Sequence, residues 1–178
     1  MKGLRWFSVL LVASLQLACT GMPQGVEPVQ GFEVDRYLGT WHEIARLDHS
    51  FERGLSNVTA EYALRDDGGI RVVNRGFSAE EQAWEEAEGR AYLVDKASSG
   101  HLKVSFFGPF YGSYVIFELD KADYQYAFVA SYSRDYLWLL ARTPTVSDDL
   151  QQRFVRRAAG LGFDTESLIF VDQALNQR

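Results

Sequence analysis

Glu43 stands between Trp41 and Ala45 in the stretch LGTWHEIARLDHSFERG (38–54), and a strand that turned Trp41 inward would turn Glu43 and Ala45 inward with it. A carboxyl enclosed by apolar walls titrates above its usual range and, once protonated, can bond a hydroxyl or carboxyl of a ligand. Satisfied by a neighbouring Arg or Tyr, the same carboxyl is purely structural. Glu43 and Tyr136 could also serve as acid and base, but no second carboxylate is evident beside them. His42, His49 and His101 are scattered over a strand and two turns, without metal-ligand spacing, and there is no nucleophile elbow and no Walker loop. The single cysteine, Cys19, has no disulfide partner and lies outside any core. These residues favour binding over turnover, with no metal and no cofactor.

The elements that would position them are strands. At 178 residues the chain suits one domain with a real core. Its net charge of −6, with no basic cluster, argues against nucleic-acid binding. Runs rich in aromatic and β-branched residues fall at 41–48, 57–64, 70–77, 84–94, 102–107, 113–119, 125–132 and 136–142. RDDGG (65–69), DKASSG (95–100) and GPFYG (108–112) supply hairpin turns. One helix follows, capped by Ser147 or Asp148. Leu150, Phe154, Val155, Ala158 and Ala159 recur at helical spacing before Gly160 and Gly162 end it. SLIFV (167–171) reads as a short ninth strand. Eight up-and-down antiparallel strands with one outer helix close into an all-β barrel, which removes exposed edges.

The N-terminus has its own character. Lys2 and Arg5 precede FSVLLVASLQLA (7–18), an apolar run too short to cross a bilayer but suited to an export signal. LQLAC resembles a bacterial lipobox with Gln16 in place of the usual Leu, and cleavage before Cys19 without lipidation is the rival reading. The organisation expected is a signal peptide over 1–18, a lipidated Gly- and Pro-rich tether over 19–34, and the barrel domain over 35–178.

Gly39-Thr40-Trp41, Arg142 closing the eighth strand in DYLWLLARTPTVSDDL, and a degenerate Asp123-Tyr124 turn together resemble the lipocalins, in particular the bacterial outer-membrane lipoprotein lipocalins related to apolipoprotein D. The resemblance covers about residues 35–172. It implies a calyx whose base is plugged by Trp41, with the Arg142 guanidinium stacked on the indole and donating to carbonyls of VDRYLG. Gly39, Trp41 and Arg142 would then form the structural base. The loops near 48–56, 78–83, 108–112 and 132–135 would surround the mouth, bringing Phe51, Phe77, Phe110, Tyr111 and Tyr132 to its rim. Alternation adds Tyr136, Trp138 and Leu140 to Glu43 and Ala45 as inward residues; the fifth strand contributes either Val104 and Phe106 or Leu102, Ser105 and Phe107. Such a cup suits an acyl chain. The function implied is storage or transport of fatty acids or lysophospholipids at the bacterial envelope, on the outer membrane, through a lipid anchor at Cys19. A lipid-modifying enzyme of the same fold and a protein-interaction module acting at the barrel mouth are the alternatives, and a homodimer stays open.

Overall fold

A computed structural model describes residues 20–95 and 98–177; the signal peptide expected over 1–18 and Cys19 lie outside the described residues. Eight antiparallel strands form the wall: β1 (Gly39–Arg46), β2 (Leu55–Leu64), β3 (Ile70–Ser78), β4 (Ala83–Leu93), β5 (His101–Ser105), β6 (Gly112–Leu119), β7 (Tyr126–Ala130) and β8 (Leu137–Ala141). Each pairs with the next, and β1 pairs with both β2 and β8, so the sheet closes on itself. The base turn between β2 and β3 follows its chemistry. Asp67 accepts the Gly69 N–H at 3.0 Å and bonds the Arg65 guanidinium, and Gly68 takes the left-handed φ of +78°. A short helix, α1 (Val34–Tyr37), precedes β1, and the expected outer helix is α2 (Asp148–Gly160). Ser147 caps it, its hydroxyl accepting the Leu150 N–H at 3.3 Å.

The wall separates two apolar clusters. Inside lie Tyr37, Trp41, Ala60, Tyr62, Ile70, Val72, Ala91, Leu102, Ile116, Val129 and Leu140. Outside, Phe154 and Ala158 of α2 pack with Val115, Phe117, Phe128, Leu137, Leu139 and Ala141. Glu118 on β6 strengthens this contact by pairing with Arg153 at 2.8 Å and with Arg157.

Ala45 belongs to the outer cluster, contrary to the alternation expected from Trp41. A β-bulge between Glu43 and Ala45 inserts an extra residue and reverses the parity of β1 from that point. Ala45 therefore pairs with Leu139 and faces the helix side, whereas Arg46 turns inward. On β5 the inward set is Leu102 and Val104, continued by Phe106 just past the strand end.

Two segments that carry no long strand seal the barrel. The stretch expected as a free tether packs against the wall from Met22 onward. Val26 and Phe32 are buried, and Val29 bonds both Ile116 and Gly100. At the other end of the chain, β1 and β2 diverge beyond the bulge, and residues 169–176 fill the gap. β9 (Ile169–Phe170) pairs with Ala45 and Arg46, and the buried Gln173 donates to the Glu43 and Val58 carbonyls at 2.7 and 2.9 Å. Asn57, with φ +53°, accepts from Leu175 and Asn176. Removing the Gln173 amide would leave two buried carbonyls without partners. Gln173→Ala should cost about 1–3 kcal/mol, measurable as a shift in the urea midpoint.

Candidate functional site: the barrel lumen

The base is built around Trp41. Its indole N–H donates to the Tyr37 carbonyl at 2.8 Å, its ring stacks on the Tyr37 ring, and the Arg142 guanidinium carbon lies 4.0 Å from the indole centroid. Arg142 donates to the Arg36, Thr40 and Tyr124 carbonyls at 2.8, 2.9 and 3.3 Å, tying α1, β1 and the β6–β7 turn together. Gly39 has φ +90°, a conformation that favours glycine, and a Cβ there would sit 3.5 Å from the guanidinium. The degenerate turn keeps its structural use, since the buried Tyr124 hydroxyl accepts the Glu33 N–H at 3.0 Å. Above this plug the Tyr37 and Tyr62 hydroxyls lie 2.8 and 2.9 Å from that of Tyr114, so three phenols satisfy one another inside an apolar shell. Arg142→Ala should lower stability by about 2 kcal/mol through lost charge-assisted bonds, while ligand affinity of the folded fraction changes little. Chemical denaturation together with a ligand titration separates these effects.

Nearer the mouth, the lumen carries a buried polar cluster. Glu43 is inside, as alternation from Trp41 requires, but engaged: Arg46 donates to it at 2.6 Å and to the Glu52 and Leu55 carbonyls at 2.9 and 3.1 Å. The mouth loop folds back so that Glu52 lies 3.0 Å from the His49 imidazole and accepts the Trp138 indole N–H at 3.1 Å. His49 stacks on Phe51, with centroids 4.0 Å apart. Burial, and then the charge of Glu52, push the Glu43 carboxyl well above the usual range, against the pull of Arg46. Burial also opposes ionisation of Glu52, but bonds from His49 and Trp138 outweigh it and leave its pKa below the ordinary value.

These opposite shifts set the pH response. Folded Glu43 holds its proton where the unfolded chain has released it, so its contribution to stability falls as pH rises from about 4.3 toward its folded pKa. Glu52 contributes stability above its unfolded pKa and loses it as pH falls through its lower folded pKa. Thermal melts across pH should therefore show a decline as pH rises from the ordinary carboxyl value toward the folded pKa of Glu43, and Glu43→Gln should remove it. An unchanged decline in the variant would mean that another group causes it.

Apolar wall lies between the cluster and the phenols. Trp138 and Leu140 face inward from β8, Val104 from β5 and Phe106 from just past its end. A Cβ at Gly89 would come within 2.8 Å of the Phe106 ring and the Ser105 carbonyl, so this close approach requires glycine. Val104, Phe106, Tyr114 and Trp138 keep partial exposure although they pack on the inner cluster, which leaves lumen surface open to a guest.

The rim is aromatic as expected at Phe51 and Phe110, with the Tyr132 and Tyr136 rings in tilted contact nearby and Phe77 packed against Trp84. Tyr111 is not part of it. It shares the outward parity of Ser113, and its ring lies beside Tyr92, Arg90 and Lys103 on the outer wall. Sequence reasoning missed Arg46, His49 and Glu52 as lumen residues. The two charged residues had no apolar pattern to mark them, and both came inside through irregular backbone.

The lipocalin-like domain family matches residues 32–173. The outer membrane lipoprotein Blc of Vibrio cholerae is 56% identical over 170 residues, covering 96% of this chain and 99% of that protein. The protein of the same name from Escherichia coli K12 is 47% identical over 175 residues, covering 97% and 98%. Mouse apolipoprotein D is 29% identical over 155 residues, covering 83% and 80%. Insecticyanin from the tobacco hornworm Manduca sexta superposes with a TM-score of 0.69 at 22% identity, over 85% of this chain and 86% of that one, a likeness of fold. Full-length similarity to outer membrane lipoproteins assigns the protein a lipid-anchored place at the outer membrane. A closed calyx, a base of Gly39, Trp41 and Arg142, and these full-length matches together make the chain a member of the lipocalin family.

Proposed function

We propose that the protein stores or carries a fatty acid or lysophospholipid in its barrel while tethered to the outer membrane through a lipidated Cys19. The observation that carries this reading is the partly exposed inner wall of Val104, Phe106 and Trp138, continuous with Leu140 and crossed near the mouth by the Glu43–Arg46–Glu52 cluster. Apolar walls with a few fixed polar groups hold an acyl chain and orient its polar end. Glu43 is bound to Arg46, which supports carriage rather than acid–base turnover. Native mass spectrometry of protein purified without detergent should retain a lipid mass. An empty barrel with a stoichiometric protein partner would overturn the carrier reading. Incorporation of a palmitate analogue should disappear in Cys19→Ser, and retained label would overturn the anchor.

A further inference from the structure

The large apolar side chains most exposed at the mouth are Phe107, Phe110 and Phe51, at 80%, 75% and 55%, followed by Tyr132 at 42%. They come from three of the four mouth loops: 47–54, 106–111 and 131–136. The fourth, joining β3 to β4, is acidic, with Glu80 and Glu81 exposed in the loop and Glu85 and Glu86 exposed just beyond it on β4. Going round the barrel, that acidic loop lies opposite the β7–β8 loop.

The N-terminal segment is fixed on the aromatic side. Arg134, in the β7–β8 loop, donates to the Gln24 carbonyl at 2.8 Å and to the Leu161 carbonyl at 2.7 Å, and Gly25 lies against Leu161. From there the segment runs past Val26 on the outer cluster to Val29, which bonds Ile116 and Gly100, and to Phe32, which bonds Ser98 and packs on the inner cluster near the base. Met22, three residues after Cys19 in the sequence, already packs on the outer cluster, and three residues of chain reach at most about 11 Å. The ten residues of β2 span about 33 Å. An anchor at Cys19 thus holds the mouth, not the base, close to lipid.

We propose that the aromatic sector of the mouth, Phe51, Phe107, Phe110 and Tyr132, rests in the surface of the bilayer that holds Cys19, with the barrel standing mouth-down and the acidic β3–β4 loop tilted into water. This rests on the reading of Cys19 as the anchor. Aromatic side chains settle at the headgroup level, and exposed apolar side chains gathered at one end of a protein mark a contact surface; here Phe51 reaches Tyr132 through the Tyr136 ring, and Phe107 and Phe110 stand on the next mouth loop round the barrel. Among the described residues the base offers no equivalent. Leu64, Leu93 and Val94 are exposed there among Arg65, Asp66, Asp67 and Asp95.

Because Cys19 is the chain's one cysteine, a lipidated protein carrying an introduced cysteine presents a single free thiol. Phe51→Cys, Phe110→Cys, Glu80→Cys and Leu64→Cys variants of the full lipoprotein would each be labelled with an environment-sensitive fluorophore. They would then be reconstituted into phosphatidylethanolamine–phosphatidylglycerol vesicles containing headgroup-level spin-labelled lipid. Labels at 51 and 110 should be blue-shifted and quenched several times more strongly than those at 80 and 64. Equal quenching at all four positions, or strongest quenching at 64, would overturn the orientation while a single thiol per chain leaves the anchor standing. Two reactive thiols per chain would mean that Cys19 is free, which removes the anchor reading and the orientation with it.

Discussion

Arg46→Ala should cost about 3–5 kcal/mol, a large part of the stability of a domain of this size. The side chain is 2% exposed and makes three bonds, one to the Glu43 carboxyl, one to the Glu52 carbonyl of the mouth loop and one to the Leu55 carbonyl at the start of β2. Its removal would leave Glu43 and Glu52 buried near each other with no cation from Arg46 between them, and would free the loop that carries His49 and Phe51. Glu43→Gln should cost much less, because a protonated Glu43 is already close to its preferred state in this site. Urea denaturation of both variants checks the ordering. Equal losses would mean that Arg46 acts chiefly as partner to Glu43 and contributes little by holding the loop.

Val104→Trp should weaken binding of a long-chain fatty acid by about two orders of magnitude. Val104 faces the lumen from β5 and keeps partial exposure, so an indole there has space that a guest would otherwise use. Each buried methylene contributes roughly 0.8 kcal/mol, and displacing three or four of them accounts for the loss. A short-chain acid that ends above residue 104 should lose much less. Titration of acids of increasing length against parent and variant, with circular dichroism to confirm folding, gives the dependence. Equal affinity for the longest acid would place the lipid outside this lumen. Ala45→Trp would test something else, since Ala45 lies under the helix side of the wall.

The fold was legible because its signals are local. Turn residues such as Asp67 and Gly68 mark hairpins, alternation marks wall strands, and Ser147 followed by Leu150 and Phe154 marks α2. Trp41 and Arg142 were legible as a pair because the family motif links them across about a hundred residues, where no spacing rule reaches. Alternation is only as good as the regularity of the strand. From Arg142 back to Tyr136 no register shift intervenes, and Leu140 and Trp138 face the lumen as expected. On β1 one inserted residue sent Ala45 out and Arg46 in. Tyr111 was placed by loop position rather than by the parity it shares with Ser113, and so was assigned to the wrong side of the wall. The packing of residues 22–34 was hidden by their Gly- and Pro-rich composition, since a segment held by backbone bonds to Ile116, Gly100 and Ser98 needs no apolar period.

The sealing of the β1–β2 seam by residues 169–176 bears on the order in which the chain can fold. β1 has β2 beside it early in synthesis, but its other edge waits for β8, and the gap beyond the bulge waits for Val171 and Gln173. Until residues 137–176 have been made, the sheet is an open ribbon with unpaired edges and the buried charges of β1 have no closed wall around them. Contacts of such long sequence separation form slowly. If residues 1–18 serve as the export signal expected of them, the chain gains from that delay, because it remains threadable while it is being moved and closes only after its late-made residues have followed.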